Sequence, residues 1–266
     1  MDGLTEVDRL MLAEVAPIAA NPNRFLLPAQ AELISIFAST PDMCATCLAP
    51  VIGYTYCMQC NAHRARYAGG GLSDRVIPLT YALEGQQMSH DMYRYKDAHA
   101  APNPSLARVV YLVYLARQFH WDCIQALSAL PISAAAVVPS TQGRESHPIY
   151  DLLKFLWAGD PIHVQCTAPP QPRTQRRLHP EDFAVSGDVR GRHILLFDDT
   201  WVTGANAQSV AHQLKVAGAT EVTTMVVARM LKGSFEPTWR FIQAGALPAG
   251  YDIDICPATQ AVCPPR

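Results

Sequence analysis

The stretch Ile194-Leu195-Leu196-Phe197-Asp198-Asp199-Thr200-Trp201-Val202-Thr203-Gly204-Ala205-Asn206 decides how this chain is read. Four apolar residues run into two adjacent carboxylates. A short Thr/Gly loop follows and leads into a helix-forming segment. A strand that ends in two acids and turns into a helix N-terminus suits a sugar phosphate. The carboxylates accept hydrogen bonds from ribose hydroxyls, while the loop amides and the positive end of the helix dipole hold a phosphate. Gly204 lets the backbone approach a ligand with no Cβ in the way. The plain alternative is a buried strand whose acids cap the helix.

Working outward, residues 205–217 read as a helix closed by Gly218, and Val222 to Ala228 as the next strand. Upstream, Ala134 to Val138 reads as a buried strand followed by the loop Ser140-Thr141-Gln142-Gly143-Arg144. Residues 148–157 look helical, and 161–190 form a long exposed segment rich in Pro and Arg. Strand, helix, strand in this order predicts a parallel sheet with helical crossovers, which binds ligands at the carboxyl ends of its strands. The loops at 140–144 and 198–206 both leave from such ends, so one pocket can hold both. Further upstream, 104–130 reads as one long helix stopped by Pro131, 76–81 as a strand, and 4–20 and 29–39 as helices. The segment from His90 to Lys96 is polar and Tyr-rich. Gly69-Gly70-Gly71 reads as a flexible joint.

The quoted stretch closely resembles the phosphoribosyl pyrophosphate (PRPP) motif of type I phosphoribosyltransferases: an apolar strand, two acids, two variable residues, then Thr-Thr-Gly. The resemblance implies that Asp198 and Asp199 face the ribose 2′- and 3′-hydroxyls, and that the loop from Val202 through Thr203, Gly204 and Ala205 to Asn206 wraps the 5′-phosphate. Val202 stands where the first Thr is usual, and Asn206 where another Thr is usual. PRPP chemistry also needs magnesium on the pyrophosphate and cationic donors near it. Ser140, Gly143 and Arg144 are the candidates to face the pyrophosphate, since a guanidinium matches phosphate through its planar fork. The segment from Pro172 to Pro180, with Arg173, Arg176 and Arg177, is a candidate lid that excludes water. The plain reading of these arginines is a solvated basic loop.

The chain has 266 residues, 49% of them hydrophobic, with a formal net charge of −2 and 21 prolines. That length allows one large domain with an appendage. No overall basic field draws it to nucleic acid or membrane. The first residues are acidic and lack the positive region of a secretory signal, and no apolar run reaches the roughly 18 residues of a membrane span. A cytoplasmic location is therefore expected.

Of eight cysteines, four lie in Cys44-x2-Cys47 and Cys57-x2-Cys60, separated by nine residues that include Pro50 and Gly53. Two such pairs can converge tetrahedrally on structural zinc, with a turn between two short strands. Two disulfides are the main alternative. His63 lies just beyond and is not needed as a ligand. With Arg64, Arg66, Tyr54, Tyr56 and Tyr67 it forms a basic and aromatic face, either a strand-binding surface or an ordinary solvated one. Cys123 and Cys166 read as apolar fillers. Cys256 and Cys263 read as a free pair, with a metal half-site or a surface disulfide as the alternatives.

Four cysteines ahead of a PRPP motif, with Arg176-Arg177-Leu178-His179-Pro180-Glu181-Asp182-Phe183 leading into it, resemble the ComF-like phosphoribosyltransferases over residues 40–232. That family also carries competence-protein and amidophosphoribosyltransferase-like labels. The resemblance implies a type I phosphoribosyltransferase fold with a small zinc module. The expected division is a helical segment at 1–40, a zinc-ribbon-like module at 41–70 and the transferase domain at 71–266. Gly143-Arg144-Glu145-Ser146-His147-Pro148 replaces the family's usual Arg-Gly-Phe-Asn-Gln segment, which leaves the acceptor unassigned. Residue 2 is Asp, so glutamine hydrolysis by an N-terminal cysteine nucleophile is not expected. The leading expectation is Mg-dependent transfer of phosphoribosyl to a nitrogen acceptor with release of pyrophosphate. A second is a DNA uptake or processing factor, with a nucleic-acid- or protein-binding zinc module and a PRPP-sensing domain. A third is a structural pairing of modules around a degenerate site. Relatives of this fold are often dimers, which leaves a homodimer open.

Overall fold

The computed structural model describes residues 33–36, 42–67, 70–96, 103–141, 149, 152–153, 156–157, 162–168, 177–246 and 250–263. In chain order the elements are α1 (Met58–Arg66), β1 (Arg75–Leu83), α2 (Gln87–Arg94), α3 (Pro104–Phe119), α4 (Trp121–Gln125), β2 (Ile132–Val137) and β3 (Ile162–Thr167). A 3-10 turn (Pro180–Asp182), β4 (Ala184–Ser186), β5 (His193–Trp201), α5 (Ala205–Val216), β6 (Glu221–Leu231) and α6 (Glu236–Gln243) follow.

The described strands form one sheet in the order β1-β6-β5-β2-β3-β4. Every neighbouring pair is parallel except β3 and β4. The expected mostly parallel α/β fold with flanking helices is therefore present. Its central strands are buried on both faces: Ile194, Leu195, Leu196 and Phe197 of β5 are each 0% exposed. This is why they read as a continuous apolar run rather than an alternating one. β2 pairs with β3 on one side and with β5 on the other. The chain thus reverses its direction of travel across the sheet between β2 and β5, and the crevice at their carboxyl ends is where such folds bind ligands.

Helix α3 begins at Asn103, whose side chain accepts the Leu106 amide at 3.0 Å, with Pro104 at its first position. The single helix expected over 104–130 is broken. It stops at Phe119, turns through His120 (φ −122°, ψ 0°), and resumes as the short α4. The turn places His120 inside the protein, 1% exposed. Helices α2 and α3 pack one face of the sheet. The other face is covered by α5 and by the cysteine segment, whose Cys44, Cys47 and Cys60 share a core with Tyr81, Trp201, Val210 and Leu214.

β1 is an edge strand, and so tolerates Pro78, whose missing N–H would break a central ladder. Its outer side is not bare. Residues 33–36, expected within a helix, are not helical: the Tyr81 amide donates to Ile34 O at 3.2 Å, and Thr80 Oγ1 donates to the same oxygen at 2.7 Å. The need to cover an edge and to bury Leu33 and Ile36 overrides the helical spacing. The rest of the expected 1–40 helical segment lies outside the described residues. Among the described residues no helix is long and apolar enough to cross a membrane.

Candidate functional site

β5 carries Asp198 and Asp199 at its carboxyl end, at the crevice between β2 and β5. Adjacent strand residues point to opposite faces, and the two acids have different surroundings. Asp199 is 8% exposed. Its Oδ2 accepts from the Tyr95 hydroxyl at 2.9 Å and pairs with the Lys96 ammonium. Asp198 is half-buried, and its Oδ1 accepts the Asp199 amide at 2.9 Å. Burial, and then the neighbouring charge of Asp199, push the Asp198 carboxyl well above the ordinary carboxylate range.

Thr200 is half-buried at the end of β5, and Trp201 completes the strand, fully inside. Beyond it, Val202 and Thr203 are half-buried, and Gly204 takes the left-handed conformation (φ +74°) as the residue before α5. Two constraints make glycine necessary there. The positive φ is one; the other is the Trp201 indole, because a Cβ on Gly204 would lie 2.7 Å from its Cη2 and nearer still to Cζ2 and Cε2. Ala205 is buried and Asn206 half-buried in the first turn of α5, and Thr203 Oγ1 accepts the Ala205 amide at 3.3 Å. The first amides of α5 have no intrahelical acceptor and face outward with the helix dipole behind them.

The start of the loop is held from beneath. Arg229 of β6, 7% exposed, donates from Nη1 to Trp201 O at 2.9 Å, Val202 O at 3.3 Å and Met230 O at 2.5 Å. The Arg229 cation also lies within electrostatic reach of Cys47 and Tyr81.

The remaining expected residues are placed as follows. Ser140 is half-buried three residues beyond the end of β2. Gly143 and Arg144 lie outside the described residues, as do Arg173 and Arg176. Arg177 is exposed and immediately precedes a segment pinned on α5: Leu178 is 4% exposed, the His179 amide donates to Ser209 Oγ at 2.9 Å, and Gln213 donates to Pro180 O at 2.7 Å. The last residues of the expected lid are thus fixed to the helix.

Cys44, Cys47, Cys57 and Cys60 converge, with all four sulfurs within 4.8 Å of one another and no disulfide among them. The Sγ atoms of Cys47 and Cys57 are 3.8 Å apart, the spacing that tetrahedral thiolates adopt around zinc. Four thiols gathered this closely, with no disulfide among them, match the donor set of a structural zinc site. The residues therefore fit zinc. The module is not the pair of short strands expected from Pro50 and Gly53. One isolated bridge joins Met43 and Pro50, and the second cysteine pair sits at the start of α1, with Cys57 preceding the helix and Cys60 in its first turn. His63 is buried outside the cluster. Of the basic and aromatic face, Arg64 stacks over Tyr56 at 4.4 Å and Arg66 over Tyr67 at 5.9 Å, while Tyr54 is 75% exposed.

Sequence reading missed Tyr95, Lys96, Trp201 and Arg229. The Tyr-rich polar run at 90–96 was the available signal for the first two. A lone arginine within the apolar run Met225–Leu231 was the signal for the last.

No family profile matches this chain, and no curated protein matches it in sequence. Solved structures that share part of it include the following three. Phosphoribosylpyrophosphate synthetase from Mycobacterium smegmatis is 19% identical with a TM-score of 0.29, over 43% of this chain and 33% of that one. Hypoxanthine-guanine phosphoribosyl transferase from L. donovani is 15% identical with a TM-score of 0.30, over 45% and 70%. Purine phosphoribosyltransferase from Pyrococcus horikoshii Ot3 is 12% identical with a TM-score of 0.28, over 49% and 88%. The match to the synthetase thus spans a third of that protein's length.

Proposed function

We propose that this protein is a phosphoribosyltransferase that binds PRPP and moves its phosphoribosyl group to a nitrogen acceptor, releasing pyrophosphate. One observation carries the reading: at the crevice between β2 and β5, a carboxylate pair, a left-handed glycine and the N-terminus of α5 follow one another along the chain. In transfer, the bond from ribose C1 to pyrophosphate breaks and a bond from C1 to nitrogen forms, with the nitrogen's proton lost. Positive charge develops on the ribose ring and negative charge on the leaving group.

The α5 amides hold the 5′-phosphate. Asp198 accepts the ribose hydroxyls. Asp199, oriented by Tyr95 and Lys96, is the second carboxylate for the ribose diol. The carboxylate oxygens of Asp198 and Asp199 are hard donors that would fit magnesium, which when bound would neutralise charge on the pyrophosphate. The type I and ComF-like resemblance supports the same reading. The alternative of a nucleic-acid factor has less behind it, because Arg64 and Arg66 are already stacked on Tyr56 and Tyr67.

Titration calorimetry of PRPP with magnesium into the full chain tests the proposal, with Asp198→Asn/Asp199→Asn beside it. Binding that the double variant abolishes, followed by pyrophosphate release in the presence of candidate acceptors, is the expected result. Folded, zinc-loaded protein that takes up no PRPP refutes it.

A further inference from the structure

We propose that this chain binds a second zinc ion, at a site formed by His120, Cys123, Cys256 and Cys263. The sequence separates these residues into His120-x2-Cys123 and, more than a hundred residues later, Cys256-x6-Cys263. The fold brings them together. His120 Nδ1 lies 3.2 Å from Cys263 Sγ, and Cys123 Sγ lies 3.3 Å from the same sulfur. The ligand atoms of His120, Cys256 and Cys263 all fall within 4.8 Å of one another. These three ligands form the cluster, and Cys123, in contact with Cys263 but outside the set that lies within 4.8 Å of one another, is the fourth candidate that would close a three-sulfur, one-nitrogen zinc site. His120 and Cys256 are buried, Cys123 and Cys263 half-buried, and none of the cysteines is in a disulfide.

The backbone repeats the construction of the four-cysteine cluster. At Cys44, the amide donates to Ala49 O at 2.8 Å, Leu48 N donates back to Cys44 O at 3.0 Å, Leu48 is left-handed (φ +54°), and a bridge joins Met43 to Pro50. At Cys256, the amide donates to Ala261 O at 2.9 Å, Gln260 N donates back to Cys256 O at 2.7 Å, Gln260 is left-handed (φ +57°), and a bridge joins Ile255 to Val262. The offsets are identical. Leu48 and Gln260 are also the two non-glycine residues with positive φ among the described residues, and such a conformation is uncommon enough to indicate a constraint.

The second half of each cluster matches as well. Cys57 precedes α1 and Cys60 lies in its first turn; His120 precedes α4 and Cys123 lies in its first turn. The two clusters differ in where the hairpin's second cysteine sits: three residues after Cys44 in one, seven after Cys256 in the other. The break in the long helix at His120 gains a purpose from this, since a continuous helix would not have both ligands at a helix start.

The ion would anchor the segment 250–263. That segment carries Tyr251 into the core beside α3 and gives the Asp252 amide to Ser35 Oγ at 2.7 Å, so it also secures the strip that covers β1. The reading of Cys123 as a filler and of Cys256 and Cys263 as a free pair is replaced by this arrangement.

The test is zinc content and zinc-edge X-ray absorption on the full chain purified under reducing conditions without chelator. Two zinc per chain are expected, with seven sulfurs and one nitrogen shared between them. Cys256→Ser/Cys263→Ser and, separately, His120→Gln should each lose one equivalent and keep the all-sulfur site. Cobalt loading of Cys44→Ser/Cys47→Ser should retain the spectrum of a three-sulfur, one-nitrogen site. One zinc per wild-type chain with four sulfurs overturns the proposal, as does a Cys123–Cys263 disulfide in peptide mass mapping of the reduced-purified protein.

Discussion

Substituting Gly204 by alanine separates a strained turn from a built cradle. The new Cβ meets two costs. Left-handed backbone costs a non-glycine residue about 1–2 kcal/mol. The methyl also drives into the Trp201 indole, 2.7 Å from Cη2 and closer to two further atoms. The ring cannot swing away freely, because Trp201 is 1% exposed and its carbonyl is held by Arg229. Overpacking of this kind costs about 1–3 kcal/mol. The sum, about 2–5 kcal/mol, lowers Tm by about 4–20 °C at the 2–4 °C per kcal/mol of a chain this size. Gly191 is the control: its φ is +71°, yet a Cβ there meets nothing within 4 Å. Gly191→Ala should show the backbone cost alone. Thermal unfolding of both variants, with PRPP titration, makes the comparison. Trp201→Phe should recover part of the Gly204→Ala loss, as a positive coupling in the double-mutant cycle. Equal Tm losses for the two glycine variants, or PRPP affinity unchanged by Gly204→Ala, would refute the reasoning.

Asp198 titrates above the ordinary range, so the fold favours its protonated form. Its contribution to stability is present below the unfolded carboxyl pKa of about 3.9 and is lost as pH rises through the raised value. Asp198→Asn is therefore expected to raise Tm at neutral pH while weakening PRPP binding, and wild-type PRPP affinity should fall as pH drops through the raised value; a lower Tm in the variant would count against this. Asp91 is 0% exposed and receives two bonds from Arg108, at 2.5 and 2.8 Å. Burial alone would raise it, yet the Arg108, Ser105 and Gln87 contacts hold it below the ordinary range. Its stabilisation is present above the unfolded pKa and lost as pH falls through the depressed value. Arg108→Met should cost about 3–5 kcal/mol by stranding that carboxylate, measured by urea unfolding at pH 7. Tyr95→Phe removes a hydrogen bond to a charged group, worth about 1.5–3 kcal/mol; calorimetry should show weaker PRPP binding with the fold intact by circular dichroism.

What the sequence makes legible here is local. The apolar run 194–197 marks a strand because both faces of a central parallel strand are buried. Gly218 closes α5 at a positive φ of +107°, and the paired cysteines announce a cluster through spacing alone. What stays hidden is long-range. Tyr95 reaches Asp199 across 104 positions; the Tyr-rich run marks the segment as unusual but does not name its partner. Arg229 looks like an interruption of β6 until the loop carbonyls it holds are seen. Residues 33–36 have helical spacing but serve an edge that needs covering. His120 and Cys123 lie inside one periodic stretch, where the pattern favours continuity over the turn that brings them together with Cys256 and Cys263.

The shared core of the cysteine segment and Trp201 has a thermodynamic consequence. Metal uptake at Cys44, Cys47, Cys57 and Cys60 and ligand uptake at the phosphate loop both draw on one packed arrangement, with Arg229 between them. Linkage is reciprocal: whatever factor zinc adds to PRPP affinity, PRPP adds to zinc affinity. On the proposed function, saturating PRPP is expected to raise the zinc affinity of this cluster, read by competition with a chelator, by the same factor that bound zinc raises PRPP affinity, so metal supply and sugar-phosphate response would be coupled.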